Sequence, residues 1–197
     1  MKLYGTTTSP FTRRARVVAT ELGQAFELVN TATPAGQVVL RELSPIRKVP
    51  VAIVDGRALY DSRVITEWLT TTHGWGPLAA PRDRWREHNL VNAIDEAIHA
   101  AISLFYLKRD GVAIDGTPYA ERQRERCDAI FEWLGTQVTP DGRSFGDGFG
   151  FAELSLTCAL DWMDFRTCYD TTRAAGVASV RAAWRDRPSL AATRPHD

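Results

Sequence analysis

At 197 residues, 44% of them apolar, the chain is long enough to bury one large core or two small ones. Its 24 basic and 24 acidic residues cancel, so no net field draws it to nucleic acid or to an acidic membrane. Three widely spaced cysteines (Cys127, Cys158, Cys168) argue against a disulfide framework or a dithiol redox site and fit a reducing cytoplasm, and His73, His88, His99 and His196 show no metal-ligand spacing, so no metal is expected. The polar, basic stretch from Thr6 to Arg16 is no signal peptide, and no apolar run approaches the ~18 residues of a membrane span.

In chain order, Lys2 to Gly5 reads as a short strand and Thr12 to Leu22 as a helix that stops at Gly23. Phe26, Leu28 and Val29 make a second strand, and Val38 to Leu43 one or two helical turns ended by Ser44-Pro45. Val51 to Val54, between Pro50 and Asp55-Gly56, is a buried strand turning into Arg57 to Tyr60. Asp61-Ser62 then opens a helix through Trp68 and Leu69. Gly74, Gly76, Pro77 and Pro81 mark a linker over 77–84, which separates an α/β domain (1–76) from a helical one (85–197). Leu90, Ile94, Ala97, Ile98, Ala101, Ile102 and Phe105 recur at helical steps, and Cys127, Ile130, Phe131, Leu134 and Val138 form another stripe. After the glycine-rich loop Thr139 to Gly150, Phe151 to Phe165 is apolar on most sides and reads as a central buried helix. Val177 to Trp184 and a tail helix near Ser189 complete the helical domain. Two arginine clusters, Arg13, Arg14 and Arg16 and then Arg122, Arg124 and Arg126, read as solvated helix faces.

Three local features carry chemistry. Ser9-Pro10 reads as an N-cap followed by the first helical residue. A hydroxyl there also sits where partial positive charge favours an anion, such as a bound thiolate. Val49-Pro50 follows Arg47 and Lys48 and opens a buried strand. A cis peptide is expected there, with the Val49 N–H and C=O free to pair with an extended peptide. Asp61-Ser62 begins another helix, where Ser62 and backbone amides suit a carboxylate and Asp61 an ammonium. Each feature alone also reads as an ordinary cap or strand start. Together they describe a site for a small peptide bearing an amine, two carboxylates and a thiol.

Thr8-Ser9-Pro10-Phe11, Arg47-Lys48-Val49-Pro50-Val51 and Leu59-Tyr60-Asp61-Ser62 leading into Ile65 resemble the soluble glutathione transferase superfamily, as do Ala152-Glu153, Asp161 to Arg166 and Arg187-Pro188-Ser189-Leu190. The resemblance runs the whole length of the chain and is nearest to small bacterial-type members with serine at the thiol position. It implies an α/β thioredoxin-like N-terminal domain, an all-α C-terminal helical bundle and a homodimer, with glutathione as co-substrate and no nucleic acid or membrane partner. It makes Ser9 the donor to the glutathione sulfur, with Thr8 and Tyr4 as alternatives. It gives Val49 the main-chain pairing beside a cis Pro50, Lys48 or Arg47 the glycine carboxylate, and Asp61 and Ser62 the γ-glutamyl end. An apolar or aromatic electrophile is expected between the domains, against Phe11, Trp85, Tyr106 and Trp162. The chain departs from the family pattern twice, with Asp61 in place of the usual glutamate and Gly150 in place of a capping serine or threonine. Two rival functions stay open: glutathione-dependent peroxide reduction or thiol transfer, and a non-catalytic binding or regulatory module.

Overall fold

The computed structural model describes residues 1–196; Asp197, the last residue of the expected helical domain, lies outside them. The chain divides into two units, Met1–Leu78 together with the tail from Arg187 onward, and Ala79–Asp186. The first unit runs β1 (Lys2–Gly5), α1 (Pro10–Glu21), β2 (Glu27–Asn30), α2 (Pro34–Leu43), β3 (Val51–Val54), β4 (Arg57–Leu59) and α3 (Ser62–His73). Its sheet has the order β2-β1-β3-β4. The β1–β2 pair is parallel, which requires the crossover that α1 supplies, and the other two pairs are antiparallel. This is the expected thioredoxin-like arrangement. Leu3, Val17, Val51, Ala52, Ile65 and Leu69 bury its core, with α1 packed on α3.

Gly5 fixes the approach of β1 to α1. A Cβ there would lie 2.4 Å from the Thr12 Cγ2, so only glycine lets the strand end meet the first turn of the helix. Helix α2 starts at Pro34, a turn earlier than its apolar residues suggest, because the Thr33 hydroxyl accepts from Gly36 N–H at 3.1 Å. Thr33-Pro34 repeats the Ser9-Pro10 signal.

The second unit is all helical: α4 (Arg84–Arg109), α5 (Pro118–Thr136), α6 (Phe151–Arg166), a 3-10 segment (Thr171–Val177) and α7 (Ala178–Trp184). Helix α4 packs on both α5 and α6. The core is drawn from Ile94, Ile98, Phe131, Leu134, Leu154 and Leu160, and α6 is buried on nearly every side, as its composition requires. An 18-residue window of α4 is apolar enough by length and composition to cross a membrane, contrary to the expectation that no such run exists. Its Leu90, Ile94, Ala97, Ile98 and Ala101 are nevertheless fully or almost fully buried, as in a core helix.

Two further expectations are corrected. The tail helix α8 (Pro188–Ala191) belongs to the first unit, where it packs on α1. Arg13 and Arg14 form no solvated face. Both are buried, Arg13 donating from Nη2 to Leu190 O at 2.9 Å and Arg14 lying 5.0 Å from the centre of the Phe11 ring. Charge pattern alone did not reveal that the tail returns to meet Arg13.

Candidate active site

Ser9 is the N-cap of α1, with extended backbone, and its Oγ accepts from Thr12 N–H at 3.1 Å. Pro10 supplies the first helical residue, and the first turn holds no acid, so nothing acidic on the helix offsets its positive pole. The Ser9 hydroxyl donates to no described residue, which leaves its proton available to a ligand. The Thr8 hydroxyl, by contrast, is bonded to that of Thr6 at 3.2 Å. Tyr4 lies in β1 opposite Val29 and Val51, and its hydroxyl has no partner among the described residues.

The register of the sheet brings the three features together. Tyr4 pairs with Val51 and Ala52 with Leu59, so the end of β1, the start of β3 and the end of β4 lie at one edge. Ser9, Pro50 and Asp61 therefore follow or precede strands at that edge. The Val49-Pro50 peptide is cis, as expected, and so is Tyr60-Asp61. Neither the N–H nor the C=O of Val49 is bonded to a described residue. Arg47, at φ 52°, and Lys48 are both exposed and pair with no described carboxylate.

Asp61 caps α3, its Oδ1 accepting from Arg63 N–H at 2.7 Å and from the Ser62 hydroxyl at 3.4 Å. Asp61 is exposed and Ser62 almost fully buried. A carboxylate at the mouth of a helix beside a small hydroxyl can receive an ammonium on its outer oxygen. The adjoining amides suit a carboxylate.

The aromatic residues do not form one group. Phe105 stacks near Tyr106 at 5.5 Å and edge-on to Trp162 at 5.8 Å, and Trp162 is buried. Trp85 lies in the first turn of α4 and Tyr106 in its last, about 30 Å apart at 1.5 Å per residue. Trp85 and Tyr106 therefore cannot line one small pocket. Trp85 is 74% exposed, beside Arg84 and His88.

Residues 3–78 match the family Glutathione S-transferase, N-terminal domain, and residues 117–192 match Glutathione S-transferase, C-terminal domain. Together they span well over half of the chain. It belongs to the glutathione S-transferase superfamily. Among curated relatives it is similar to the uncharacterized GST-like protein YibF of Escherichia coli (strain K12), 26% identical over 84% of this chain and 83% of that protein. Among solved structures it is similar to a glutathione S-transferase of Methylobacillus flagellatus KT with glutathione bound, with 26% identity and a TM-score of 0.85 over 99% of both chains. A glutathione transferase family member from Pseudomonas fluorescens Pf-5 with bound glutathione gives 27% identity and a TM-score of 0.83, over 100% of this chain and 99% of that one.

Glu87 escaped sequence reading altogether, and its role follows from the start of α6. Gly150 caps α6 without a side chain, and only the acid half of the usual cap is present: Glu153 accepts from Gly150 N–H at 2.8 Å and Phe145 N–H at 2.7 Å. The missing acceptor comes from α4, where Glu87 Oε1 takes Ala152 N–H at 2.9 Å. Burial and then the Glu153 charge push Glu87 up to about 7, and burial also pushes Glu153 up. Glu87 carries no cap signal in sequence, because its partner amide is 65 residues away. The three cysteines are free; burial pushes Cys127 and Cys168 up to about 12. No cluster of three His, Cys, Asp or Glu able to hold a metal occurs among the described residues.

Proposed function

We propose that the protein binds glutathione on its first unit, holds the thiol as thiolate at the start of α1 and transfers it to a small apolar or aromatic electrophile. The observation that carries this reading is the meeting of Ser9, Val49-Pro50 and Asp61-Ser62 at one edge of the sheet, each with a polar group not used by the fold. Ser9 donates to the sulfur. The Val49 main chain pairs with the cysteinyl backbone, Lys48 or Arg47 meets the glycine carboxylate, and Asp61 and Ser62 hold the γ-glutamyl ammonium and carboxylate. Phe11, two residues after Ser9, is the apolar candidate on the first unit.

The energetics suffice without a general base. A cysteine thiol titrates near ~8.5, and lowering it by about two units takes roughly 2.7 kcal/mol of preferential thiolate stabilisation. A hydroxyl donating to a charged acceptor supplies about 1.5–3 kcal/mol. The helix pole adds roughly 0.3–1 kcal/mol. The sulfur then attacks the electrophilic carbon, a carbon–sulfur bond forms, and the leaving group departs with the electron pair of the bond that breaks. Thiol transfer through the protein is disfavoured, since position 9 is serine and burial keeps Cys127 and Cys168 protonated. The same reading gives a homodimer in a reducing cytoplasm.

Calorimetry with glutathione followed by turnover of a generic aryl halide tests the proposal. Micromolar-to-millimolar binding with conjugate formation is expected. Absence of binding returns the non-catalytic module, and binding without conjugation of any electrophile in a panel defeats the transferase reading.

A further inference from the structure

We propose that the chain's tail, from Arg187 to His196, is a strap that positions the Ser9 hydroxyl. It is anchored at both ends of α1. At the C-terminal end, Glu21 accepts from Arg187 Nε and Nη2, both at 2.7 Å, and from the Ser189 hydroxyl. These partners hold the Glu21 carboxyl below its usual range although burial opposes them. At the N-terminal end, Arg13 donates from Nη2 to Leu190 O at 2.9 Å and from Nε to Thr193 Oγ1 at 3.3 Å. Beyond α8, the Thr7 hydroxyl donates to His196 O at 2.9 Å.

The strap therefore reaches Ser9 from two sides. Thr7 stands two residues before it in the loop from β1, and Arg13 N–H donates to Ser9 O at 3.0 Å, closing the first turn of α1. Packing alone asks only for apolar contact. A buried guanidinium aimed at a main-chain carbonyl and a hydroxyl fixes direction as well as distance. A hydroxyl that must meet a sulfur needs its placement held to a fraction of an ångström by surrounding contacts. Arg13 and Thr7 are positioning residues in this account, and they touch no reacting atom.

The inference rests on the reading of Ser9 as thiolate donor, so the test separates the two. Amide hydrogen exchange and steady-state kinetics are measured on the wild-type full chain, Thr7→Val and Arg13→Gln. Thr12 N–H reports directly on the Ser9 cap. Both variants are expected to exchange Thr12 and Arg13 amides about tenfold faster through local opening. Their kcat should fall several-fold while KM for glutathione stays within about twofold, and the bound thiol should titrate higher. Thr7→Val removes one hydroxyl from an exposed hydrogen bond and carries the test if Arg13→Gln fails to fold. Unchanged exchange at Thr12 in Thr7→Val overturns the strap whatever the catalytic result. Normal exchange effects in a protein that never binds glutathione overturn the thiolate reading and leave the strap as a purely structural anchor, contrary to the proposal.

Discussion

Helices α1 and α6 begin in opposite ways. Helix α1 opens on a serine whose oxygen satisfies one amide, with no acid in the first turn. Helix α6 opens on a glycine, and two carboxylates, one of them from α4, take up the amides of Gly150, Ala152 and Phe145. The positive pole of α6 is thus spent inside the fold, while that of α1 meets no acid in its first turn. A helix start surrounded by carboxylates is a joint between helices. One that keeps a hydroxyl proton and an uncompensated pole is a place for an anion.

The largest effect is expected at the start of α6. Glu153→Ala strands two buried N–H donors, each costing roughly 1–3 kcal/mol, so denaturant unfolding should show a loss of about 3 kcal/mol or more. Ser9→Ala should behave differently. Its stability cost is about 0.5–2 kcal/mol, whereas conjugation should fall roughly 10- to 100-fold, the kinetic equivalent of about 1.4–2.7 kcal/mol. A Ser9→Ala protein that is unstable yet fully active would make α1 a second α6.

Glu87 gives a pH signature. Its carboxyl is raised from the ordinary 4.5 to about 7 by burial and by Glu153, with the Ala152 N–H bond and then Arg86 pulling the other way. The folded protein therefore keeps a proton that the unfolded chain has released. The associated stability is fully present below 4.5 and lost as pH rises through 7. Glu87→Gln keeps a carbonyl acceptor for Ala152 N–H and removes the charge. It should flatten that slope and be more stable than the wild type at pH 8 by on the order of 1–3 kcal/mol in thermal or denaturant melts. The smallest effect belongs to Gly150→Ser. The new hydroxyl restores a local cap, but its Cβ lies 3.1 Å from Ala79 O and 3.2 Å from the Glu153 carboxylate. The change in stability should stay within about 0.5 kcal/mol, because Glu87 already does the work of the cap.

What could be read from sequence was local. Ser9-Pro10 and Asp61-Ser62 announce their helices because a cap lies within three residues of the amide it satisfies. The apolar run Val51 to Val54 announces its strand because burial on both faces needs no alternation. Thr33-Pro34 and Thr117-Pro118 carry the same signal and mark the starts of α2 and α5, where apolar spacing alone began too late. What could not be read was everything made by chain return. Arg13 looks like a surface charge until the tail meets it. Glu87 looks like one more exposed acid until α6 comes to rest on it, and Trp85 looks like a partner of Tyr106 until α4 proves continuous between them. Of the candidate site, the residue types and their order were legible. Their meeting at one sheet edge rests on the β1–β3–β4 register, which spacing does not encode.

The proposed chemistry depends above all on a thiolate held at the start of α1. The direct measurement is the ultraviolet titration of glutathione's thiol bound to the wild-type protein and to Ser9→Ala. A bound thiol about two units below the free value of ~8.5 is expected in the wild type, moving back up by a unit or more in Ser9→Ala while glutathione still binds. A bound thiol that titrates like free glutathione in the wild type, or identically in both proteins, would contradict it.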